Sequence, residues 1–576
     1  MLKLFRLLKP YRLQIAAVLV LIFLQSISQL FLPTLMAAIV DTGIVNENIS
    51  FIIQIGGIML AVAAIGVVVS IWSGFFTAKI SAGFGRNVRE RVFAQAENFS
   101  LQEFDTFGTS SLITRTTNDI MQVQQVLTLL LRTMIMAPML FIGAMVLAVW
   151  MNPQLSLIIF APLPIIVIAV VIIAKKGIPL FKALKEKTDR LNLVLREVLT
   201  GVRVIRSFNR ADYERERFDE ANQDYADTAI KVNRIIIHAT PIMMLVLNFS
   251  VIAIIWFGSY SISNGNLQVG ELMAFIQYAT QIMFAFIMAS VMFVAIPRAA
   301  VSAGRINEIL ETEPKVKEPE NAIPLSEVRG QVEFRDVTFS YPGAEKPVLS
   351  RISFQANPGE VTAIIGGTGS GKSTLVSLIP RFYDIDEGHI LLDGVDIRNI
   401  TQQELRDQVG FTPQQAYLFA GTINVNIRYG RDSATEEEVR EAAKAAQADE
   451  FISQLEQGLE TPVAQRGANL SGGQRQRLAI ARTLLRNPAI YIFDDSFSAL
   501  DFKTHSRVRD ALREKTADAT VLLVTQRAST VMDADKIVVL DQGEIAGIGD
   551  HSELMQSSEV YREIVASQFT EEDTSS

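Results

Sequence analysis

The chain has 576 residues, 49% of them hydrophobic and 20% charged, with a formal net charge of −8 and a mean hydropathy of +0.27. The negative balance offers no global attraction to nucleic acid, so none is expected as a partner. The absence of cysteine excludes disulfides, thiolate catalysis and Cys-ligated zinc or iron–sulfur centres, and the four histidines (His238, His389, His505, His551) are too scattered to suggest a metal site.

The N-terminus, Met-Leu-Lys-Leu-Phe-Arg-Leu-Leu-Lys-Pro, is basic and then turns apolar as a signal peptide would. The apolar run continues for about twenty residues with no clear cleavage site, so a retained first membrane span is the better reading. Six stretches are long and apolar enough to cross a bilayer as helices: residues 13–32, 51–76, 131–150, 155–174, 241–262 and 273–296. The N-terminus carries Lys3, Arg6, Lys9 and Arg12, and two long connections are also rich in Lys and Arg. The first connection, residues 41–50, has carboxylates and no basic residue. Basic residues stay on the cytoplasmic side, which puts both long connections and both termini there. Apolar residues recur at helical spacing through Leu191, Val194, Leu195 and Val198, so the spans are expected to continue as helices beyond the bilayer, either to transmit movement or as a stalk.

Charge is almost absent inside the spans, whose polar residues are uncharged: Gln25, Ser26, Ser28, Gln29, Asn248, Gln277 and Gln281. An ion-coupled carrier would normally carry ionisable groups there. The last span holds Met273, Phe275, Tyr278, Met283, Phe284, Phe286, Met288, Met292 and Phe293. Such side chains suit a cavity for apolar ligands of varied shape, and they also serve as ordinary packing. Residues 1–305 are thus assigned to a six-span membrane domain. Residues 306–330, of which 311–330 are rich in Glu, Pro and Lys, are assigned to a linker, residues 331–570 to a soluble α/β domain and residues 571–576 to a tail.

In the soluble part, the β-branched run Val361-Thr362-Ala363-Ile364-Ile365 leads into Gly366, Gly367, Thr368, Gly369, Ser370, Gly371, Lys372, Ser373 and Thr374 and then an apolar helical segment. Strand, glycine-rich turn, Lys-Ser and helix form a phosphate cradle: backbone N–H groups and the helix N-terminus meet phosphate oxygens, Lys372 adds a full charge, and Ser373 reaches Mg²⁺. Farther on, the apolar run Ala489–Phe493 ends in Asp494 and Asp495, the place where a P-loop fold holds Mg²⁺, and Asp494 is the metal-side carboxylate. Between them, Leu470, Ser471, Gly472, Gly473 and Gln474 open a basic helix, a second anion-binding terminus.

These motifs, with Gln414 in Val409-Gly410-Phe411-Thr412-Pro413-Gln414 and with Ser498-Ala499-Leu500-Asp501, stand in the order found in ABC transporters, and residues 331–570 resemble their nucleotide-binding domain. Residues 1–300 are similar to the exporter-type membrane domain, through residues 110–119 and 196–208, which look like its intracellular loops. The resemblance implies an ABC-type ATPase and translocase that uses ATP and Mg²⁺. It implies that Tyr341 stacks on adenine, that Ser373, Gln414 and Asp494 attend the metal, and that Ser471–Gln474 serve the nucleotide of a second half-transporter. Three positions depart from the family's pattern. Asp495 stands where a Glu attends the attacking water, Gln526 where the switch is His, and Gln465 where many relatives carry Glu. Asp is one methylene shorter than Glu, and a misplacement of about 1 Å can cost on the order of 10²-fold in rate. Nucleotide-binding groups kept while both hydrolytic positions change resemble the degenerate half of bacterial heterodimeric multidrug exporters. The chain is therefore expected in the bacterial cell membrane as one half of a heterodimer that exports hydrophobic or amphipathic small molecules, with ATP poorly hydrolysed at its own site. The alternatives are a homodimeric exporter or lipid flippase, an ATP-gated channel or sensor, and a membrane-anchored ATPase.

Overall fold

The computed structural model describes residues 1–325 and 327–574, which divide into two units, Met1–Glu97 with Ser110–Thr312 and Asn98–Thr109 with Glu313–Ser576. The first unit is built from long helices: Arg12–Ala38, Ile49–Glu97, Ile120–Met151, Pro162–Thr200, Ala211–Ser263 and Val269–Glu311. At about 1.5 Å per residue, the 49 residues of Ile49–Glu97 reach roughly 75 Å, against a hydrocarbon core of about 30 Å. The helices thus do continue far beyond any apolar span. The last one also runs through residues 306–311, which the sequence assignment places in the linker.

Among the described residues, five helical segments are long and apolar enough to cross a membrane: Lys3–Ile44, Ile49–Glu97, Thr109–Met151, Pro241–Ser263 and Val269–Ala289. The fourth expected span, residues 155–174, contributes the shorter apolar stretch Pro153–Ile168, and the side chains of residues 169, 170, 173 and 174 lie outside the described ones, as does that of Phe293. None of the apolar window of Ile49–Glu97 is buried within the chain, and Trp150 and Trp256 are among the most exposed large side chains. This is an inverted surface, fit for lipid rather than water.

Polar groups tie the helices of this unit at named points. Asp41 accepts from the backbone N–H groups of Gly270 (2.6 Å) and Glu271 (3.0 Å), satisfying donors that the start of Val269–Glu311 would otherwise leave orphaned. Gly270 has to be glycine there, since a Cβ would stand 2.5 Å from the Ala37 carbonyl oxygen. Tyr278, fully buried, pairs its hydroxyl with Thr34 (2.7 Å) and donates to the Leu30 carbonyl (3.1 Å). Farther along the same helix, Ser302 (2.8 Å) and Arg305 donate to the buried carboxylate of Asp119, which ends the helical turn Arg115–Asp119.

The second unit carries the β-structure. Its strands are β1 (Val332–Phe339), β2 (Leu349–Ala356), β3 (Val361–Gly366), β4 (Glu387–Leu392), β5 (Val395–Asp396), β6 (Val409–Thr412), β7 (Gly421–Thr422), β8 (Pro462–Val463), β9 (Ile490–Asp494), β10 (Thr520–Val524), β11 (Lys536–Asp541) and β12 (Glu544–Gly549). A six-stranded sheet has the order β12-β11-β3-β10-β9-β6, and a four-stranded antiparallel sheet has the order β2-β1-β4-β5. In the larger sheet β11, β3, β10, β9 and β6 run parallel, with β12 antiparallel at the edge. β3, β9 and β10 are buried almost throughout, as their near-continuous β-branched and aromatic runs require of central parallel strands. Their register aligns Val524 with both Asp494 and Ile364. The segments leaving β3, β9 and β10 therefore emerge side by side along the carboxyl edge of the sheet, the place where open α/β sheets bind ligands.

Candidate functional site

The loop after β3 closes through two glycines with different reasons to be glycine. A Cβ on Gly366 would lie 2.2 Å from the Leu540 carbonyl oxygen. Gly371, the N-cap of the helix Lys372–Leu378, has φ +97°, and its Cβ would stand 2.7 Å from Leu349 Cδ2. The turn so formed aims the first N–H groups of that helix into a cleft of about 340 Å³ bounded by Gly369, Lys372, Gln414, Asp494, Asp495 and Gln526.

Lys372 is buried and its Nζ donates to the carbonyls of Gly366 (2.8 Å) and Gly367 (2.6 Å) and to Ser370 Oγ (3.4 Å). All three acceptors are neutral. Burial pushes the ammonium's pKa down, while Asp495 and Asp494 pull it up. A buried cation held only by neutral oxygens, beside free helix-terminal donors, fits a phosphate anion. Ser373 Oγ donates to Asp494 Oδ1 at 2.9 Å, so the hydroxyl and the carboxylate meet at one point. Asp494 is 6% exposed. Burial raises its pKa, and Asp495 adds to that, against the Ser373 hydrogen bond and Lys372. The described residues contain no cluster of three or more His, Cys, Asp or Glu able to hold a metal alone. Mg²⁺ fits this donor set in the way it usually binds, through one carboxylate, a hydroxyl and substrate phosphates.

Asp495 follows in the left-handed region, φ +45°, with its N–H on the Val524 carbonyl (2.9 Å) and its Oδ2 accepting from Gln414 Nε2 (3.2 Å). Burial raises its pKa as well, opposed by Gln414, Arg527 and Lys372. Gln526 leaves β10 two residues after Val524 and lines the same cleft. The structure thus gathers the phosphate loop, Gln414, Asp494, Asp495 and Gln526 into one place.

Tyr341 sits beside that cluster rather than in it. Its hydroxyl pairs with Thr374 Oγ1 (3.1 Å), and its ring meets Phe339 and Tyr383 edge-on. Ser471, Gly472, Gly473 and Gln474 do not line the cleft. Ser471 and Gln474 form a reciprocal capping box at the exposed start of Gly472–Arg486: Ser471 N–H donates to Gln474 Oε1 (2.8 Å) and Gln474 N–H to Ser471 Oγ (3.3 Å). Gln465 is exposed in a short 3₁₀ turn, Gln465–Gly467.

Two features escaped the sequence reading. Tyr383 donates to Asp105 (2.8 Å), in the helix Leu101–Phe107 of the same unit. Gln568, near the chain's end, brackets the Gln526 backbone. No local pattern announces either one, because each partner lies tens or hundreds of residues away.

Residues 15–286 match the family described as ABC transporter transmembrane region, and residues 349–498 the family described as ABC transporter. An uncharacterised ABC transporter ATP-binding protein of Mycobacterium bovis is 41% identical over 564 residues, 97% of each chain. An ATP-dependent lipid A-core flippase of Desulfotalea psychrophila is 36% identical over 477 residues, 83% of each chain. Among solved structures, a bacterial Atm1-family ABC exporter with ATP bound superposes with a TM-score of 0.82 at 29% identity, covering 97% of this chain and 98% of that one.

Proposed function

Because the chain belongs to the ABC transporter family, as an exporter with its membrane and ATPase parts on one polypeptide, we propose that it is the degenerate-site half of a heterodimer exporting hydrophobic or amphipathic compounds. In this reading the cleft beside Lys372 binds Mg-ATP and hydrolyses it slowly, while Ser471–Gln474 complete the nucleotide site of the partner. Tyr341 is assigned to the adenine side and Lys372 to the β- and γ-phosphates. Ser373, Gln414 and Asp494 would hold Mg²⁺, which when bound neutralises charge on the transferred phosphoryl group.

The observation that carries the reading is that Asp495 and Gln526 share one cleft with Lys372, Ser373, Gln414 and Asp494. A raised pKa suits Asp495 to accept a proton, but reach comes before basicity, and its short side chain is already engaged by Gln414. Gln526 can donate a hydrogen bond to a γ-phosphate but cannot become cationic. The cargo assignment draws support from a cavity of about 380 Å³ in the first unit, bounded by Met134, Pro138, Met292 and Pro297 among others and by no charged side chain. Flexible thioethers between two helices that each carry a proline here suit uncharged, variably shaped ligands.

Restoring Asp495→Glu together with Gln526→His is expected to raise ATP hydrolysis at this site by roughly tenfold or more, measured with the signature helix of the partner present. No gain would overturn the degenerate-site assignment. The flippase relative favours a second reading, a homodimeric lipid flippase. Fast ATPase activity from the purified chain alone, abolished by Asp495→Asn, would establish that one instead.

A further inference from the structure

The loop between β10 and the helix Ala528–Val531 carries Gln526; within it Thr525 Oγ1 accepts from the Arg527 N–H at 3.1 Å, and the Arg527 guanidinium reaches the Ser498 carbonyl at 3.4 Å, but neither bond involves Gln526. The N-cap of that helix, Arg527, makes no side-chain capping bond, and Gln526 and Arg527 are both exposed. A further hold, on the backbone of Gln526 itself, comes from the helix Glu559–Thr574. There Gln568 Oε1 accepts from the Ala528 N–H at 2.7 Å, and Gln568 Nε2 donates to the Gln526 carbonyl at 2.6 Å. One side-chain amide thus engages the backbone on both sides of Arg527, as a peptide unit of a neighbouring strand would. The helix that carries it is itself anchored. Tyr561 and Val565 are buried with Ala528, Val531, Val539 and Leu554 in one apolar cluster, with Ile564 against it. The Tyr561 hydroxyl also meets His551 Nδ1 at 2.8 Å.

We propose that Gln568 is a positioning residue for ATP recognition: it fixes the backbone of Gln526 so that this side chain points into the cleft at the level of the γ-phosphate. The proposal rests on the reading of Gln526 as the γ-phosphate contact. ADP has no γ-phosphate, so the clamp bears on ATP affinity and leaves ADP affinity alone. A purely structural role for the last helix would move both together. Gln568→Leu removes both hydrogen bonds at nearly constant volume. Gln568→Glu keeps an acceptor for the Ala528 N–H and sets a carboxylate against the Gln526 carbonyl.

The test uses the full chain in lipid nanodiscs, with Mg-ATP and Mg-ADP binding measured by titration and amide exchange read on residues 525–529. Gln568→Leu is expected to weaken ATP roughly three- to tenfold, the equivalent of about one hydrogen bond, with ADP affinity within about twofold and faster exchange across 525–529. Gln568→Glu is expected to lose ATP affinity similarly while retaining protection at Ala528. In a Gln526→Ala background, Gln568→Leu should cost no further ATP affinity, because the two residues act as a unit. Unchanged exchange with an unchanged ATP/ADP preference, or equal loss of ATP and ADP, would overturn the clamp. Should Gln526→Ala leave ATP affinity intact while Gln568→Leu still loosens 525–529, the clamp on the loop stands and the γ-phosphate role of Gln526 falls.

Discussion

Individual side chains in the nucleotide-binding unit show how burial and pairing compete. Asp396, at the end of β5, has a side chain 13% exposed. Burial alone would raise its pKa, but hydrogen bonds from Arg398 and His389 outweigh that and lower it from 3.8 to about 2. A carboxylate depressed in the folded state contributes stability that is present above its unfolded pKa and lost as pH falls toward the folded value. The window is therefore about pH 4 down to about pH 2. The shift corresponds to about 2 kcal/mol. Asp396→Asn is expected to lower the thermal unfolding temperature of the full chain at pH 7 and to make no difference near pH 2. A melting series over pH in detergent checks both. Asp495 and Gln526 belong to the same scale: a change of one methylene and the loss of an ionisable ring are legible from the sequence alone. What the sequence hid is that Asp495 sits at positive φ with Gln414 already on its carboxylate.

Among the elements, the short helix Leu101–Phe107 carries an unexpected affiliation. It lies in sequence between two long helices of the first unit, yet it packs within the second. Its N-terminus is closed by a capping box in which buried Glu103 accepts from the Ser100 N–H (2.8 Å), and Glu103 also accepts from the Lys315 N–H (3.2 Å). Tyr383 holds Asp105 from the other side, with its phenol pKa raised by burial first and by Asp105 second. The buried guanidinium of Arg381, two residues earlier, clasps Asp384 and the Lys317 carbonyl. On the proposed transport function, a helix that packs in this unit and is joined in sequence through residues 98–100 to Ile49–Glu97 is a candidate to pass movement along the chain. Tyr383→Phe removes one hydrogen bond and is expected to leave ATP affinity unchanged while lowering substrate moved per ATP roughly two- to fivefold. Parallel ATPase and vesicle-uptake assays would show it, and equal loss of both activities would count against it.

For the whole molecule, the consequence of the proposed assignment is division of labour. The start of the helix Gly472–Arg486 is exposed and Ser471–Gln474 do not line the cleft of their own chain, which accords with the proposed service of these residues to a second chain's nucleotide. The purified chain alone is expected to bind ATP and turn it over slowly, and addition of a six-span partner with Glu and His at the two altered positions should raise ATPase activity by roughly 10²-fold. Steady-state ATPase assays with each chain and with the pair decide this. A fast homodimer would contradict it.

The two-part architecture was legible because its signals are local: apolar runs of bilayer length, a strand–glycine loop–helix motif, and an apolar strand ending in carboxylates. Each of these is fixed by neighbours in sequence, where backbone geometry and hydropathy act over a few residues. The same holds for Lys372, Ser373 and Asp494, whose proposed roles rest on the motif and whose meeting point follows from parallel register. The linker begins only after Glu311, because buried Ile306 and Ile309 carry the last long helix up to the point where the Glu-, Pro- and Lys-rich stretch starts. Gln568 on the switch loop, Tyr383 on Asp105 and Asp41 on the start of the last long helix were invisible in the sequence. Each is a single polar contact between distant segments, carrying no periodicity and no motif. Sequence by itself determined that this chain is a membrane-spanning ABC-type ATPase, and it pointed to Asp495 and Gln526 as the groups behind the proposed slow hydrolysis. Only the tertiary structure decided which backbone segments hold those groups in place, because that depends on which distant donors and acceptors the fold brings within hydrogen-bond reach.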